Sequence, residues 1–166
     1  MIRILGTAGA VFSDCERYRY RLWRVWLPHK PKVCFVMLNP STATHEILDP
    51  TVTRCMKRAQ ALGYGGMEVV NIFALRSTDP QALYKEPDPV GPDNFSAIAE
   101  AIEDCAIAIC AWGSHGNLLN VGSAIKDCIN QFFPGKSHYL KLNSDGNPTH
   151  PLYLPYELQP VLWGEV

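Results

Sequence analysis

Several apolar runs in the sequence end in side chains that could bind a ligand. One run stops at Asn39, a second contains Asn71 near its end, a third ends at Trp112 and Gly113, and the last run is followed by His150. An asparagine amide offers both a donor and an acceptor, which suits the edge of a nucleobase. Aromatic rings can stack on the face of a base. No carboxylate pair and no serine triad is evident, so these residues indicate a site for a planar polar ligand.

Each of these side chains also has a structural interpretation. Asn39 precedes a proline, which is typical of a turn residue. Trp112 alone is more typical of a core, and His115 of a surface or capping position. Asn71 lies inside an apolar run, where a buried amide is costly unless its hydrogen bonds are met. If these side chains all lie at one edge of a sheet, a binding site is favoured over a separate structural role for each.

A parallel sheet is the element that would bring these residues together. Buried strands are predicted at 32–38, 67–73, 105–112 and 137–142, and helices at 50–62, 94–104 and 117–132. Strands that alternate with helices indicate a parallel sheet with right-handed crossovers. Such sheets hold ligands at the carboxyl ends of their strands. Residues 1–166 are predicted to form a single α/β domain.

The first predicted helix has signals at both ends. Asp49 can cap its N-terminus, Pro50 suits the first helical position, and Gly63 suits the C-terminal cap. Between them the apolar residues recur on one face, as in a helix that packs on a sheet.

The N-terminal segment is basic within a neutral chain. Arg17, Arg19 and Arg21 alternate with tyrosine and leucine, which predicts a strand with one solvated face. A proline-rich turn then leads to strand 32–38, and the two strands are predicted to pair as an antiparallel hairpin. The whole chain has a formal net charge of -1, which argues against strong non-specific attraction to nucleic acid or membranes.

The six cysteines form no C-x-x-C pair. This predicts reduced, buried thiols in a cytosolic protein rather than a disulfide or metal framework. The start of the chain lacks a sustained apolar region, and no run of about 18 apolar residues occurs. Neither a signal peptide nor a membrane span is predicted, and we predict no cofactor and no metal.

Longer strings in the sequence closely resemble a known family, the domain of unknown function 1643. These strings are LNPSTA, DPTVTRC, VNIFALRSTDP, DPVGPDN, AWGSHG and DGNPTHPLYLP. The resemblance covers nearly the whole chain and its motifs are distinctive. It brings no established activity.

A more distant resemblance, to the uracil-DNA glycosylase superfamily, implies a fold and a function. It rests on short motifs around Asn39, Asn71, Trp112 and His150, which occur in the superfamily's order at the ends of the predicted strands. The implied fold is a three-layer α/β/α sandwich with a central four-stranded parallel sheet, here preceded by the N-terminal hairpin.

The resemblance also implies roles for individual residues. Asn39 would position the attacking water, and Asn71 would read the base edge. His150 would bond to a base carbonyl oxygen as negative charge develops there, and an apolar wedge would follow it. The implied catalytic and substrate-binding set is Asn39 and His150 with Pro40, Ser41, Thr42, Asn71, Phe73, Trp112, Gly113, Tyr153 and Leu154. Phosphate contacts are predicted for Arg54, Lys57, Arg58 and Arg76.

The sequence departs from the superfamily pattern in ways that bear on catalysis. The first motif lacks its opening glycine and any catalytic carboxylate, and Leu152 replaces the serine of the last motif. The amide of Asn39 cannot take a proton at pH 7, so it could not act as a base. Weakened or altered catalysis is therefore expected.

The resulting prediction is a protein that recognises a nucleobase and hydrolyses the N-glycosidic bond of a flipped, damaged or modified base. DNA or a nucleotide-like ligand is the predicted partner. The main alternative is a non-catalytic protein that binds a nucleotide or nucleic acid, which the absent carboxylate favours. An interaction protein with a vestigial pocket and an enzyme acting on small nucleosides are further alternatives.

Overall fold

The computed structural model of the protein describes residues 2–5, 7–41 and 49–164. Helices and strands alternate after the first four strands. The elements are β1 Ile2–Leu5, β2 Ala8–Phe12, β3 Arg19–Val25, β4 Lys32–Met37, α1 Pro50–Ala61, β5 Gly66–Asn71, α2 Asn94–Glu103, β6 Ile107–Cys110, α3 Val121–Phe132, β7 Ser137–Tyr139 and β8 Val161–Leu162. Short 3₁₀ turns lie at Pro80–Tyr84, Ser114–Asn120 and Pro151–Tyr153.

The strands form one mixed sheet of eight strands in the order β1-β2-β3-β5-β4-β6-β7-β8. The neighbours β5, β4, β6 and β7 pair in parallel, and the strands at both edges pair antiparallel. The α/β class is therefore confirmed, but the predicted four-stranded sheet is too small. Strands β1 to β3 extend one edge and β8 extends the other.

The predicted hairpin between β3 and β4 is wrong, because β5 lies between them and pairs with both. The connection from β3 to β4 bends around Gly65, whose carbonyl oxygen accepts from the amides of Trp26 and Leu27. A Cβ at residue 65 would lie 2.1 Å from the Leu27 carbonyl oxygen, so glycine permits this approach. The N-terminal hairpin consists of β2 and β3 instead.

Helices cover both faces of the sheet. On one face α1 packs through Cys55 and Ala59 against a cluster that includes Phe35 of β4. On the other face α2 and α3 contribute Ile102 and Ile129 to a cluster that includes Val36. Neighbouring residues of β4 thus point to opposite layers. Because both faces are covered, β4 is apolar nearly throughout, as a central parallel strand should be.

Much of the positive charge of the N-terminal segment is paired within the fold. Arg21 Nη2 lies 2.6 Å from Glu68 Oε1, and Lys32 Nζ lies 2.8 Å from Glu68 Oε2. The Glu68 side chain is 1% exposed, so the two cations offset the cost of burying its charge. Arg17 forms an ion pair with Glu86. These side chains do not form a basic surface patch.

The described residues contain no helix that is long and apolar enough to cross a membrane. The six cysteines are free thiols, of which Cys15 and Cys128 are exposed and the other four are buried. Burial raises the pKa of Cys55 and of Cys110 to about 12. These two thiols therefore stay protonated and act as small apolar side chains in the core.

Candidate functional site

A cavity of about 720 Å³ lies at the carboxyl ends of β4, β5 and β6, beside the N-terminus of α1. Its wall includes Asn39 after β4, Asn71 at the end of β5, Trp112 and Gly113 after β6, and His150 from the C-terminal segment. The structure thus brings these predicted residues into one cavity, as the parallel sheet requires. Their functional roles stay predictions.

Asn71 contributes a buried side-chain nitrogen to the cavity wall. It is 1% exposed and follows Met67 and Val69 along the α1 face of β5. Within the described part of the chain, its Nδ2 has no hydrogen-bond partner. Its main chain is held, since its carbonyl oxygen accepts from Asn94 Nδ2 at 2.7 Å. A buried, unpaired donor costs about 1–3 kcal/mol, which a ligand with an acceptor at this point would recover.

Asn39 has a structural role in addition to its place in the cavity wall. Its Nδ2 donates to the Ser77 carbonyl oxygen at 2.9 Å, and the Ser77 amide donates to the Pro40 carbonyl oxygen at 2.9 Å. These bonds fix the loop after β5 against the end of β4. Asn39 Oδ1 accepts from none of the described residues, so it can accept a hydrogen bond from a ligand or a water molecule.

Asp49 supplies the cavity with the carboxylate that the first sequence motif lacks. Its Oδ1 accepts from the Val52 amide at 2.7 Å, as the predicted N-cap of α1. Its Oδ2 accepts from the Ser41 hydroxyl, and both residues line the cavity. The sequence predicts Asp49 only as a cap, because no local pattern shows that the start of α1 lies at the strand ends.

His150 is a neutral hydrogen-bond donor in this cavity. Its Nδ1 accepts from the Leu152 amide at 3.3 Å, which places the proton of the neutral ring on Nε2. Burial lowers the pKa of His150 from its usual value, and the nearby Asp49 carboxylate opposes this shift to a smaller degree. The ring is therefore uncharged at pH 7 and donates through Nε2.

The lowered pKa of His150 predicts a pH dependence of stability. The folded pKa lies below the unfolded value of 6.5, so the unfolded chain takes up a proton first on acidification. Stability is therefore fully present above pH 6.5 and falls as the pH drops through the folded pKa. Denaturant unfolding between about pH 7.5 and about pH 5 should show a smaller loss in His150→Gln than in the wild type. Equal losses would contradict the burial of a neutral ring.

Arg19 lines the cavity and is 2% exposed, although the alternation predicts a solvated side chain. The cause is a β-bulge: Arg21 lies opposite Val11, but Arg19 rather than Tyr20 lies opposite Phe12. The extra residue reverses the alternation and turns Arg19 inward. Burial lowers the pKa of Arg19 to about 10, against the opposing effect of a nearby carboxylate. Its guanidinium is therefore charged at pH 7.

Trp112 is a core residue at the edge of the cavity rather than an open stacking surface. It is 1% exposed, and its Nε1 donates to Asn147 Oδ1 at 3.2 Å. Its ring packs on Gly116 and Gly122, where an added Cβ would lie 2.1 Å and 2.7 Å from the indole. The next residue, Gly113, has a φ of 75°, which favours glycine.

Two arginines of α1 hold the segment that carries the histidine. Arg58 Nη2 donates to the Leu154 carbonyl oxygen at 2.9 Å, and its Nη1 donates to the next carbonyl oxygen at 2.8 Å. Arg54 Nη2 donates to the same Leu154 oxygen at 2.6 Å. Arg58 is fully buried, so the predicted phosphate contact is wrong for this residue. Both side chains position residues 150–154.

Replacing Arg58 should destabilise the protein strongly. Arg58→Met removes two charge-assisted hydrogen bonds, each worth about 1.5–3 kcal/mol, and leaves Arg54 as the one described side-chain donor to the Leu154 carbonyl oxygen. We expect the free energy of unfolding in urea to fall by about 3 kcal/mol or more. The matched control is Lys57→Met at the exposed neighbouring position, which should change it by about 0.5 kcal/mol or less. Equal effects would show that the buried guanidinium is not a structural anchor.

The last two predicted contact residues differ in exposure. Leu154 lines the cavity but is 7% exposed and belongs to the α1 core cluster. It is therefore not the projecting wedge that the resemblance implies. Tyr153, at 90% exposure, is the large side chain at the mouth of the cavity.

The remaining predicted residues that the structure describes are absent from the cavity wall. Phe73 is fully buried in the core cluster of α2 and α3, and Pro40 is buried as well. Arg76 Nη1 donates to a main-chain carbonyl oxygen at 3.1 Å, and Lys57 is exposed on α1. Thr42 falls outside the described residues.

Two connections of irregular structure complete the cavity mouth. The long loop after β5 contains the 3₁₀ turn Pro80–Tyr84. Tyr84 Oη lies 2.9 Å from His115 Nδ1 and so links this loop to the turn after β6. Lys141 and Thr149 line the cavity from the loop after β7. The sequence contains no signal that places these residues together.

A second cavity of about 730 Å³ lies between β3 and α2. Its wall includes Arg21, Lys32 and Glu68, whose charges are paired with one another. The other cavity instead lies at the carboxyl ends of the parallel strands, where such sheets hold ligands, and its Asn71 Nδ2 has no partner among the described residues. For this reason the cavity at the strand ends is the candidate functional site.

The mixed sheet with helices on both faces defines the chain as an α/β protein. Its polar cavity lies at the carboxyl ends of the parallel strands, the position at which proteins of this class commonly hold small ligands. The chain belongs to the family described as protein of unknown function (DUF1643), whose family model matches residues 19–152. The match includes the cavity residues from Arg19 to His150. No curated protein and no solved structure matches the chain significantly.

Proposed function

We propose that the protein binds a nucleobase in the cavity at the strand ends and hydrolyses its N-glycosidic bond. The observation that carries this proposal is the amide of Asn71, which is buried, lines the cavity and has no partner among the described residues. A side-chain amide can give one hydrogen bond and accept another along the edge of a base. The cavity volume of about 720 Å³ lies within the usual range for ligand sites.

Three further residues of the cavity wall fit the chemistry of base release. The Asp49 carboxylate can take a proton from water, and Asn39 Oδ1 can orient that water by accepting its other proton. The bond between the sugar carbon and the base nitrogen breaks, and its electron pair leaves with the base. His150 Nε2–H stabilises the anionic base, the water oxygen bonds to the sugar carbon, and the proton on Asp49 passes to the released base.

These assignments support the uracil-DNA glycosylase-like interpretation in a modified form. The four parallel strands carry helices on both sides, which suits the implied three-layer fold. The expected carboxylate is missing from the first motif, and Asp49, at the start of α1, would take its role. Tyr153 rather than Leu154 would contact whatever lies at the mouth.

The test is base release from nucleosides, nucleotides and oligonucleotides that carry uracil, hypoxanthine and alkylated or oxidised bases. His150→Ala should lower the rate of release at least tenfold, because one donor to a developing anion is worth about 2.7–4 kcal/mol. His29→Ala, at an exposed turn position, is the control and should keep the wild-type rate. Unchanged turnover in His150→Ala would remove this residue from the mechanism.

A second candidate function is binding without catalysis. Both oxygens of Asp49 already accept hydrogen bonds, from the Val52 amide and from the Ser41 hydroxyl. A carboxylate whose two oxygens are both bonded to the protein has less capacity to bind and orient a water molecule. Thermal shifts with bases and nucleotides, without release of base from any substrate, would favour this second function.

A further inference from the structure

A second surface of the protein is apolar and open, and it lies apart from the cavity at the strand ends. A groove of about 470 Å³ runs between α2 and α3, and it shares none of its lining residues with that cavity. Isoleucine, alanine and phenylalanine side chains and one cysteine line this helix groove. We propose that the helix groove binds an amphipathic helix of a partner protein, with basic residues along both borders of the apolar face of that helix.

The shape of the helix groove fits a third helix. Its floor is formed by Ile98 and Ile102 of α2 and by Ile125 and Ile129 of α3, each at most 4% exposed. On both helices the lining residues recur at intervals of three and four positions, so each helix presents one apolar stripe. The ten residues of α2 span about 15 Å. A bound helix of about three turns would pack its own ridge of side chains between the two stripes.

Two large aromatic side chains extend the apolar surface into solvent. Phe95 belongs to the first turn of α2 and is 53% exposed, and Phe132 ends α3 and is 66% exposed. Both line the helix groove. A single exposed apolar side chain is ordinary, but one that continues an apolar groove marks an interaction site. Aromatic side chains are also enriched at the centres of protein interfaces.

The borders of the helix groove are acidic. Glu103 lies one turn after Ala99, a lining residue of α2. Asp127 lies one turn after Ala124, a lining residue of α3. Both acidic residues are exposed. Basic residues on the two borders of a bound helix would therefore meet opposite charges.

The cations of this region are held elsewhere. α2 contains no lysine or arginine, and the one basic residue of α3 is Lys126. Lys126 Nζ lies 4.3 Å from the centre of the Trp163 ring, and this lysine is absent from the groove lining. Lys136 Nζ donates to the carbonyl oxygens of Ile102 at 2.9 Å and of Cys105 at 2.8 Å, at the C-terminal end of α2. The charge along the two stripes is therefore negative.

The acidic borders disfavour two other occupants of the helix groove. In a two-fold dimer the same surface of each copy meets its equivalent, so Glu103 and Asp127 would face acidic residues of the second copy. Like charges brought together across an interface are unfavourable. The negatively charged surface of an anionic membrane attracts basic segments rather than acidic ones. The charges therefore favour a basic helix of another protein.

Fluorescence anisotropy with two labelled synthetic peptides tests the proposal. Each peptide has about 18 residues, long enough to form a helix. Both carry leucine at positions i, i+3, i+4 and i+7 of one face, and their polar faces carry lysine in one peptide and glutamate in the other. We expect the lysine peptide to bind about fivefold or more tightly than the glutamate peptide, because each exposed ion pair contributes about twofold to fivefold in affinity.

Variants at exposed positions locate the bound peptide. Phe132→Ser should weaken binding of the lysine peptide by about tenfold or more. The matched control is Leu119→Ser, which replaces a side chain that is 67% exposed and absent from the groove lining, and it should leave binding unchanged. The double variant Glu103→Lys, Asp127→Lys should reverse the preference, so that the glutamate peptide binds more tightly. Thermal unfolding verifies that each variant is folded.

The opposite results would overturn the proposal. These are equal binding of the two peptides to the wild type, a preference that the double variant does not reverse, or peptide binding that survives Phe132→Ser. A dimer in sedimentation that Phe132→Ser dissociates would show that a second copy covers the helix groove. Binding to anionic lipid vesicles that Phe132→Ser abolishes would show a membrane surface instead. Each of these results leaves the nucleobase site untouched, because the two sites share no described residue.

Discussion

Asp49→Asn is expected to lower the rate of base release by about a hundredfold or more while the protein stays folded. Asparagine caps helices about as well as aspartate, so the bond from the Val52 amide to Oδ1 is retained. The Ser41 hydroxyl then faces the new Nδ2, from which its oxygen can accept a hydrogen bond. The amide cannot take a proton from water, so the substitution removes general base catalysis. It also removes the carboxylate charge that interacts with Arg19 and His150. Initial rates of base release and thermal unfolding measure the two effects separately.

Asp79→Asn is the matched control for this substitution. Asp79 also caps a helical turn, where its Oδ1 accepts from the Gln81 amide at 2.9 Å, and it is absent from the cavity wall. Its replacement should leave the rate of base release unchanged. A wild-type rate in Asp49→Asn would show that Asp49 is not the general base, and equal losses in both variants would show that capping, not proton transfer, matters.

Asn71→Leu is expected to abolish most of the affinity for the ligand while stability is kept or increased. The side chains are similar in size, and leucine removes a buried donor that has no partner in the described structure. Losing such a donor costs the folded protein nothing and relieves about 1–3 kcal/mol of desolvation. Losing two hydrogen bonds to a base edge should weaken binding by about ten- to a hundredfold. Calorimetric titration and denaturant unfolding test the two parts.

Asn94→Leu provides the contrasting control. Asn94 is also fully buried, but its Nδ2 donates to the Asn71 carbonyl oxygen at 2.7 Å and to the Ile72 carbonyl oxygen at 3.3 Å. Its replacement should lower the free energy of unfolding by about 2 kcal/mol because buried acceptors lose their donor. If Asn71→Leu destabilised the protein to the same degree, its amide would have a structural partner and would not be held for a ligand.

The sequence predicts the central elements well because their signals are local. The cap at Asp49 and the proline after it define the start of α1, and the apolar run around Asn71 predicts β5, which ends two residues before the predicted end at Phe73. Strands alternating with helices also predict that Asn39 and Asn71 meet at one edge. These predictions depend on hydrophobic periodicity and on capping chemistry, which act within a few residues.

The rest of the site could not be predicted, because it depends on contacts distant in sequence. β5 lies between β3 and β4 and pairs with both. Gly65, just before β5, forms hydrogen bonds with the connection that joins β3 to β4. Arg19 is buried because a bulge shifts the register against β2, and an alternating pattern contains no sign of the shift. From the sequence, the charged side chain of Arg58 is expected at the protein surface. In the structure it instead donates to carbonyl oxygens that lie almost a hundred residues further along the chain.

The most direct test of the nucleobase site is the NMR signal of the Asn71 side-chain amide in ¹⁵N-labelled protein. The signal is assigned by its absence in Asn71→Leu and followed as free bases and nucleotides are added. We predict that at least one base shifts this amide signal as a hydrogen bond forms to Nδ2. An Asn71 amide that stays unperturbed by every base and nucleotide, while the folded spectrum is intact, would contradict the account.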